Sequence, residues 1–218
     1  MSMKFNLLLS LGLVLSSGFP GSHCNAAIVY PESPDGGRQI VYDSLKQLPR
    51  SMSRYLGGFQ IEELGIANPF RAYSVDLTNL ASGQLLSATK SGNWCYLLMH
   101  GTNAVAAAEL AGDVTNGKAL KFAGLEQTDY PYETLKALQM VEKLPQMKQQ
   151  NYEVRRLNCP AILFAAVWLH GKTDDIIIPL PPTRGRWNAY QPCSESQMIK
   201  FLKPEAERRF RSPVSIFD

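Results

Sequence analysis

Apolar and polar residues alternate with a period of two through much of the middle of the chain. Tyr73, Val75 and Leu77 alternate with polar residues, which is typical of a strand with one solvent-exposed face. Among the turn signals that follow, Asn116-Gly117 is the strongest, because both residues tolerate the positive φ of a two-residue hairpin loop. The signals recur at hairpin spacing and predict an antiparallel meander. Its candidate strands are 71–78, 84–90, 94–99, 104–111 and 119–126.

Before these strands, the apolar positions follow the spacing of a helix. Val41, Leu45 and Leu48 recur at helical intervals after a glycine pair, until Pro49 interrupts the pattern. A second short helical piece is predicted at 51–56, where two glycines end it. The first strand of the sheet is therefore expected to follow a helical segment.

Two further helices are predicted in the second half of the chain. The first spans 131–144, where Pro131 suits the first turn and an apolar stripe follows. That stripe consists of Leu135, Leu138, Val141 and Leu144. The second begins at Ser194, which forms a capping-box pattern with Gln197. Both helices have an apolar side that must pack against another element.

The remaining strands indicate the fold class. They are predicted at 152–157, 162–169 and 176–180. Residues 94–99 and 161–169 are apolar at successive positions, so both faces of these strands must be covered and they should be central. We predict an α+β fold with a mainly antiparallel sheet of about six to seven strands and flanking helices. The 131–144 helix is expected on one face, and the N-terminal helix or the C-terminal segment on the other.

The first residues have the pattern of a secretory signal. Lys4 supplies a positive start, Leu7–Phe19 is apolar, and small residues place cleavage between Ala26 and Ala27. The apolar run is too short for a spanning helix, and later runs are shorter still. We expect an exported protein, periplasmic or extracellular, with no transmembrane segment in the mature chain. The expected parts are a signal at 1–26, an α+β domain at 27–183 and a basic C-terminal helical segment at 184–218, docked on the domain.

Composition and cysteine content narrow the class of protein. With 45% apolar and 19% charged residues, the chain has the composition of a folded globular protein. Cleavage leaves Cys95, Cys159 and Cys193, an odd number that argues against a disulfide scaffold. Cys95 and Cys159 lie in or beside apolar strands and are expected to be buried thiols, with a bridge between them as the alternative.

Positive charge is concentrated near the C-terminus. Residues 184–211 hold seven Lys and Arg against three Glu, a balance of +4. Such a segment is either a solvated helix face or a surface for an anionic partner, for example lipid headgroups or an acidic protein. An exported protein seldom meets nucleic acid, so no nucleic-acid partner is predicted.

Candidate chemistry is sparse. The sequence has no Gly-x-Ser-x-Gly elbow, phosphate-binding loop, dinucleotide fingerprint, His-Glu-x-x-His or Cys-x-x-Cys motif. If their strands were neighbours, His100 and His170 would approach each other near Asp174 and Asp175 and supply metal ligands. The alternative is that all four are ordinary turn residues. No cofactor is predicted.

A thiol and a histidine are the other catalytic candidates. Cys95 and His100 are five residues apart, so on one regular strand their side chains leave opposite faces. His170 remains as the imidazole partner of a Cys95 nucleophile. Against this, Cys95 lies in a strand that is expected to be buried, where a thiol's pKa rises and its reactivity falls.

The best binding candidates lie in the proline-rich connection before the last helix. Arg184, Arg186, Trp187 and Tyr190 combine planar cations with aromatic rings and predict one recognition surface. The alternative is that Trp187 anchors this connection to the sheet. We interpret the chain as a non-enzymatic module that binds a protein or envelope component, including an anionic one. The alternatives are a hydrolase or transferase using Cys95 and His170 and, below that, a metal-binding protein.

Overall fold

The computed structural model describes residues 27–32, 34–49, 56, 58–112, 120–126, 128–183 and 186–211. Its nine strands in these ranges are β1 (Ile28–Val29), β2 (Gly65–Ile66), β3 (Phe70–Ser74), β4 (Lys90–His100), β5 (Asn103–Ala111), β6 (Lys121–Glu126), β7 (Tyr152–Cys159), β8 (Phe164–Gly171) and β9 (Asp175–Pro179). Its α-helices are α1 (Gly37–Gln47), α2 (Leu77–Ala81), α3 (Tyr130–Val141) and α4 (Glu195–Arg211). The predicted leader, most of the helical piece at 51–56, the turn at Asn116-Gly117, and Arg184 lie outside the described residues.

All nine strands belong to one sheet. Seven of them follow the order β6-β5-β4-β3-β7-β8-β9, while β1 pairs with β7 and β2 with β4. The pairs β3–β7 and β1–β7 are parallel, and the other pairs are antiparallel. The α+β class is confirmed, but the sheet is larger than predicted and mixed. The strands β3 and β7 run parallel because the chain passes through α3 after the β4–β6 meander and returns beside β3.

The segment between residues 74 and 90 differs from the prediction. β3 ends at Ser74 because Asp76 caps α2, its Oδ1 accepting the Asn79 N–H at 2.8 Å. The predicted strand at 84–90 is wrong, since Leu86–Ala88 forms a 3₁₀ helix and strand structure resumes only at Lys90. The Leu86 N–H donates to Glu195 Oε1 at 2.8 Å, a contact from the C-terminal helix that no local pattern contains.

Helices α1, α3 and α4 lie where the sequence patterns predict them, whereas α2 was not predicted and begins within the strand expected at 71–78. At the start of α1, a Cβ on Gly37 would collide with the Tyr96 hydroxyl, so this close approach requires glycine. The predicted capping box of α4 is present: the Ser194 N–H donates to Gln197 Oε1 at 2.8 Å, and the Gln197 N–H donates to Ser194 Oγ at 3.3 Å. The helix continues through Pro204 to Arg211.

Helices cover both faces of the sheet. On one, here called the α3 face, α3 packs over a core that includes Cys95, Val154 and Leu169. On the other, the outer face, α1 packs over the β4–β6 half, and α4 with α2 packs over the β7–β9 half. β4 and β8 are apolar on both faces, as predicted, although the middle strand of the seven is the shorter β3.

The sheet curves around α3. Arg156 on β7 forms an ion pair with Glu126 on β6, although these strands are four steps apart in the strand order. In a flat sheet, four steps of about 4.8 Å would separate them by about 19 Å, more than the two side chains can span. Because α3 contacts both β5 and β8, it lies in the resulting concavity.

Candidate binding surface

The structure does not bring Cys95 and His170 together. Cys95 lies on β4 and faces α3, whereas His170 lies on β8, three steps away, and faces outward beside Trp168. Cys95 is completely buried, and this burial raises the pKa of its thiol to about 12 although the nearby Arg156 acts in the opposite direction. A protonated, inaccessible thiol without an imidazole partner is a poor nucleophile.

The two histidines predicted as metal ligands are also separated. His100 stacks on Phe59, with ring centroids 3.7 Å apart, at the end of β4, and β3 and β7 lie between it and His170. Asp174 accepts a hydrogen bond from the Tyr152 hydroxyl at 2.9 Å, whereas Asp175 bonds His170. In the part of the chain that is described, no group of three or more His, Cys, Asp or Glu side chains could hold a metal ion.

The three binding candidates that the structure describes, Arg186, Trp187 and Tyr190, do not form one surface either. The segment between β9 and α4, here called the edge connection (180–183 and 186–193), passes around the edge of the sheet. Trp187 packs into the outer-face core, 6% exposed, while Tyr190 packs against the α3-face core. Arg186 forms an ion pair with Glu205 at 2.7 Å. These positions favour the alternative in which Trp187 anchors the connection, and binding by these residues stays a prediction.

A buried polar group lies on the α3 face. Arg156, 8% exposed, donates to both carboxylate oxygens of Glu126 and through Nε to Asn158 Oδ1 at 3.1 Å. Burial alone would lower the pKa of Arg156, but the hydrogen bonds and charge of Glu126 outweigh it and raise that pKa. The guanidinium is charged, and three of its five N–H donors form hydrogen bonds within the protein. This pair has a structural explanation that needs no ligand.

The outer face carries a different arrangement in its middle, between α1 and α4. Five side chains form it: Arg71, Tyr73, Arg155, Trp168 and His170, here called the arginine strip. The Arg155 Cζ lies 4.9 Å from the centroid of the Tyr73 ring and 4.7 Å from that of Trp168. The Arg71 Cζ lies 5.3 Å from the centroid of the Trp94 ring. Both guanidinium groups therefore lie against aromatic rings, which limits their motion.

Two carboxylates form hydrogen bonds with three side chains of the strip. Asp175 Oδ1 accepts the Trp168 Nε1–H at 2.8 Å and lies 2.7 Å from His170 Nδ1. Glu153 Oε1 accepts the Arg155 Nε–H at 2.7 Å. The side chain of His170 remains 41% exposed, and that of Arg155 16% exposed. When Nδ1 donates to Asp175, the lone pair of the second ring nitrogen is left for an incoming donor.

Sequence reasoning missed Arg71 and Arg155, although a signal for them exists. Arg71 alternates with Tyr73 on β3, and Glu153 alternates with Arg155 on β7. Charged and aromatic residues two apart share one face of a strand, so each pair could have been assigned to a common face. The strands β3 and β7 are neighbours only because of the long parallel crossover. Their pairing aligns Arg71 with Arg155.

Within the described ranges, no helix is long and apolar enough to cross a membrane. Compared with protein-family models, with curated proteins and with solved structures, the chain has no significant match.

Proposed function

We propose that this protein is an exported binding module without catalytic function, and that the arginine strip contacts acidic side chains of a protein partner. The observation that carries the proposal is the position of Arg155 against the rings of both Tyr73 and Trp168, which meet each other edge-on with centroids 5.2 Å apart. A guanidinium held in this way loses little conformational freedom when it binds a carboxylate.

The residue types of the strip support a protein partner. Arginine, tyrosine and tryptophan are the residues that most often dominate the energy of protein interfaces. The planar guanidinium can donate two parallel hydrogen bonds to one carboxylate, which a lysine cannot do. The strip lies on strands β3, β7 and β8, between helices α1 and α4 of the outer face, so its shape does not depend on a loop.

The proposal is tested by partner capture with matched variants. Protein carrying Arg155→Gln, Arg155→Lys or the control Arg211→Gln is immobilised and exposed to an envelope extract of the producing organism. Arg211 is an exposed basic residue at the end of α4, far along the chain from the strip. We expect the wild type and the Arg211 variant to retain one partner, the Lys variant to retain less of it, and Arg155→Gln to lose it. Equal capture by Arg155→Gln would contradict the assigned surface.

Export is a separate part of the proposal and has its own measurement. Intact mass of protein recovered from outside the cytoplasm should correspond to a chain that begins at Ala27. A mass that retains the first 26 residues of the sequence would refute cleavage at this position.

A further inference from the structure

A cavity of about 260 Å³ lies between the edge connection and the first half of α4. Its apolar wall includes Pro179, Trp187, Cys193, Met198 and Phe201. A water occupies about 30 Å³ of liquid, so this volume corresponds to roughly nine waters or an organic body of similar size. The cavity is distinct from the arginine strip.

The walls of the cavity are held by the core and by the sheet. Trp187 packs edge-on against Phe164, with centroids 5.5 Å apart. Cys193 forms a backbone bridge with Ile177, and its thiol donates to the Ile177 carbonyl at 3.3 Å. Met198 is 1% exposed. A ligand therefore meets a preformed apolar surface rather than a mobile loop.

The residues that line the cavity include one buried N–H without a partner and one cation. The Trp187 Nε1–H is buried and has no hydrogen-bond partner in the described structure. Lys200 is exposed at the rim and forms no ion pair with a described residue. Of the amides in the lining, Asn188 donates to Gln191 Oε1 at 2.6 Å, and Gln197 Oε1 accepts the Ser194 N–H at the start of α4.

The charge of the lining residues indicates the charge of the ligand. None of the described residues that line it is acidic, and its one ionic group is the Lys200 ammonium. Phe201, half exposed, extends the apolar surface beside this cation. An apolar body with one negative end matches both features.

We propose that this cavity binds a small amphipathic carboxylate, with its hydrocarbon part against Trp187 and Met198 and its carboxylate beside Lys200. The proposal does not depend on the function assigned to the arginine strip. Octanoate, with eight carbons and two oxygens, has the size of the cavity and is a suitable probe. Octanol is its uncharged counterpart.

The test is a titration of the purified protein with octanoate, followed by NMR of the tryptophan indole N–H signals. The chain has three tryptophans, and Trp187→Phe identifies the signal of Trp187 without removing its aromatic ring. We expect saturable binding that shifts the Trp187 signal and leaves Trp94 and Trp168 unchanged. Absence of saturable binding, or shifts confined to the other two indoles, would overturn the proposal.

Lysine variants test the charge. Lys200→Gln should weaken octanoate binding about fivefold, equivalent to about 1 kcal/mol for one exposed ion pair, and should leave octanol binding unchanged. Lys203→Gln, on the same helix but outside the lining, is the matched control and should bind octanoate as the wild type does. Equal octanoate affinity of the two variants would overturn the assigned carboxylate position, and octanol binding as tightly as octanoate would overturn the choice of an anion.

Discussion

Two adjacent arginines on β7 occupy opposite environments. Arg156 points into the concave α3 face, where Glu126 and Asn158 accept three of its N–H groups and only 8% of the residue is exposed. Arg155 points to the outer face, where two aromatic rings support its guanidinium and Glu153 accepts only its Nε–H. The same residue type thus forms a buried structural pair on one face and a candidate binding group on the other.

The difference comes from what surrounds each cation rather than from its charge. A buried ion pair loses its hydration, and removing one partner leaves the other as an uncompensated charge in the core. A cation on the outer face keeps part of its hydration and can exchange water for a ligand at lower cost. Stability measurements on the two neighbours therefore separate structure from binding.

The largest expected effect is that of Arg156→Met. This variant leaves Glu126, whose side chain is 16% exposed, without its partner and should lower the free energy of unfolding by about 3–5 kcal/mol, measured by urea denaturation at pH 7. The double variant Arg156→Met/Glu126→Leu removes both charges and should recover most of this loss. If the single variant lost less than about 1 kcal/mol, the pair would not have the structural role assigned here.

A smaller effect is expected for Arg155→Met. The variant keeps an apolar side chain against Tyr73 and Trp168 and loses a partly exposed cation, so the unfolding free energy should fall by less than about 1 kcal/mol. Thermal and urea unfolding measured beside Arg156→Met provide the comparison. A loss as large as that of Arg156→Met would mean that Arg155 belongs to the core, and the binding role of the strip would lose its basis.

The smallest effect concerns a third arginine environment, at the edge connection. The hydrogen bond from Arg208 holds the pKa of Glu205 below its usual range against the opposing effect of burial, and the charge of Arg186 acts in the same direction as Arg208. A carboxylate with a depressed folded-state pKa stabilises the fold above its unfolded pKa, near 4.3, and this stability is lost as pH falls through the folded value.

Glu205→Gln should therefore lower the free energy of unfolding by about 0.5 kcal/mol at pH 7, after allowance for screening by solvent. It should have no effect once the pH lies below the folded-state pKa of Glu205. The measurement is urea denaturation of both proteins across the acidic range, repeated at high salt, where the difference should shrink. A loss of unfolding free energy that does not change with pH would indicate that the variant loses packing and not a charge interaction.

Local patterns predicted much of the fold because they depend on neighbouring residues alone. The stripe of α3, the Ser194–Gln197 capping box and the two-sided apolar strands β4 and β8 were all recognisable from their spacing. The segment at 84–90 was mispredicted because Leu85 and Leu86 are buried by packing and by the contact with Glu195, not by strand pairing.

The candidate surface was less predictable because its members come from strands far apart in the chain. Arg71 and Arg155 meet only because β7 returns beside β3 in parallel, a pairing that the hairpin signals could not indicate. The aromatic and basic residues of the edge connection are adjacent in sequence, but that segment wraps around β9. Its two rings therefore pack on opposite faces of the sheet.

By itself, the sequence determined the type of most elements and the alternation that sends Arg155 and Arg156 to opposite sides, since both follow from backbone geometry within one strand. Only the tertiary structure decided which side would be buried. Curvature of the sheet around α3 brings Glu126 to Arg156, while the space between α1 and α4 leaves Arg155 partly exposed. Burial and partner choice depend on residues distant in sequence, and for that reason local periodicity does not contain them.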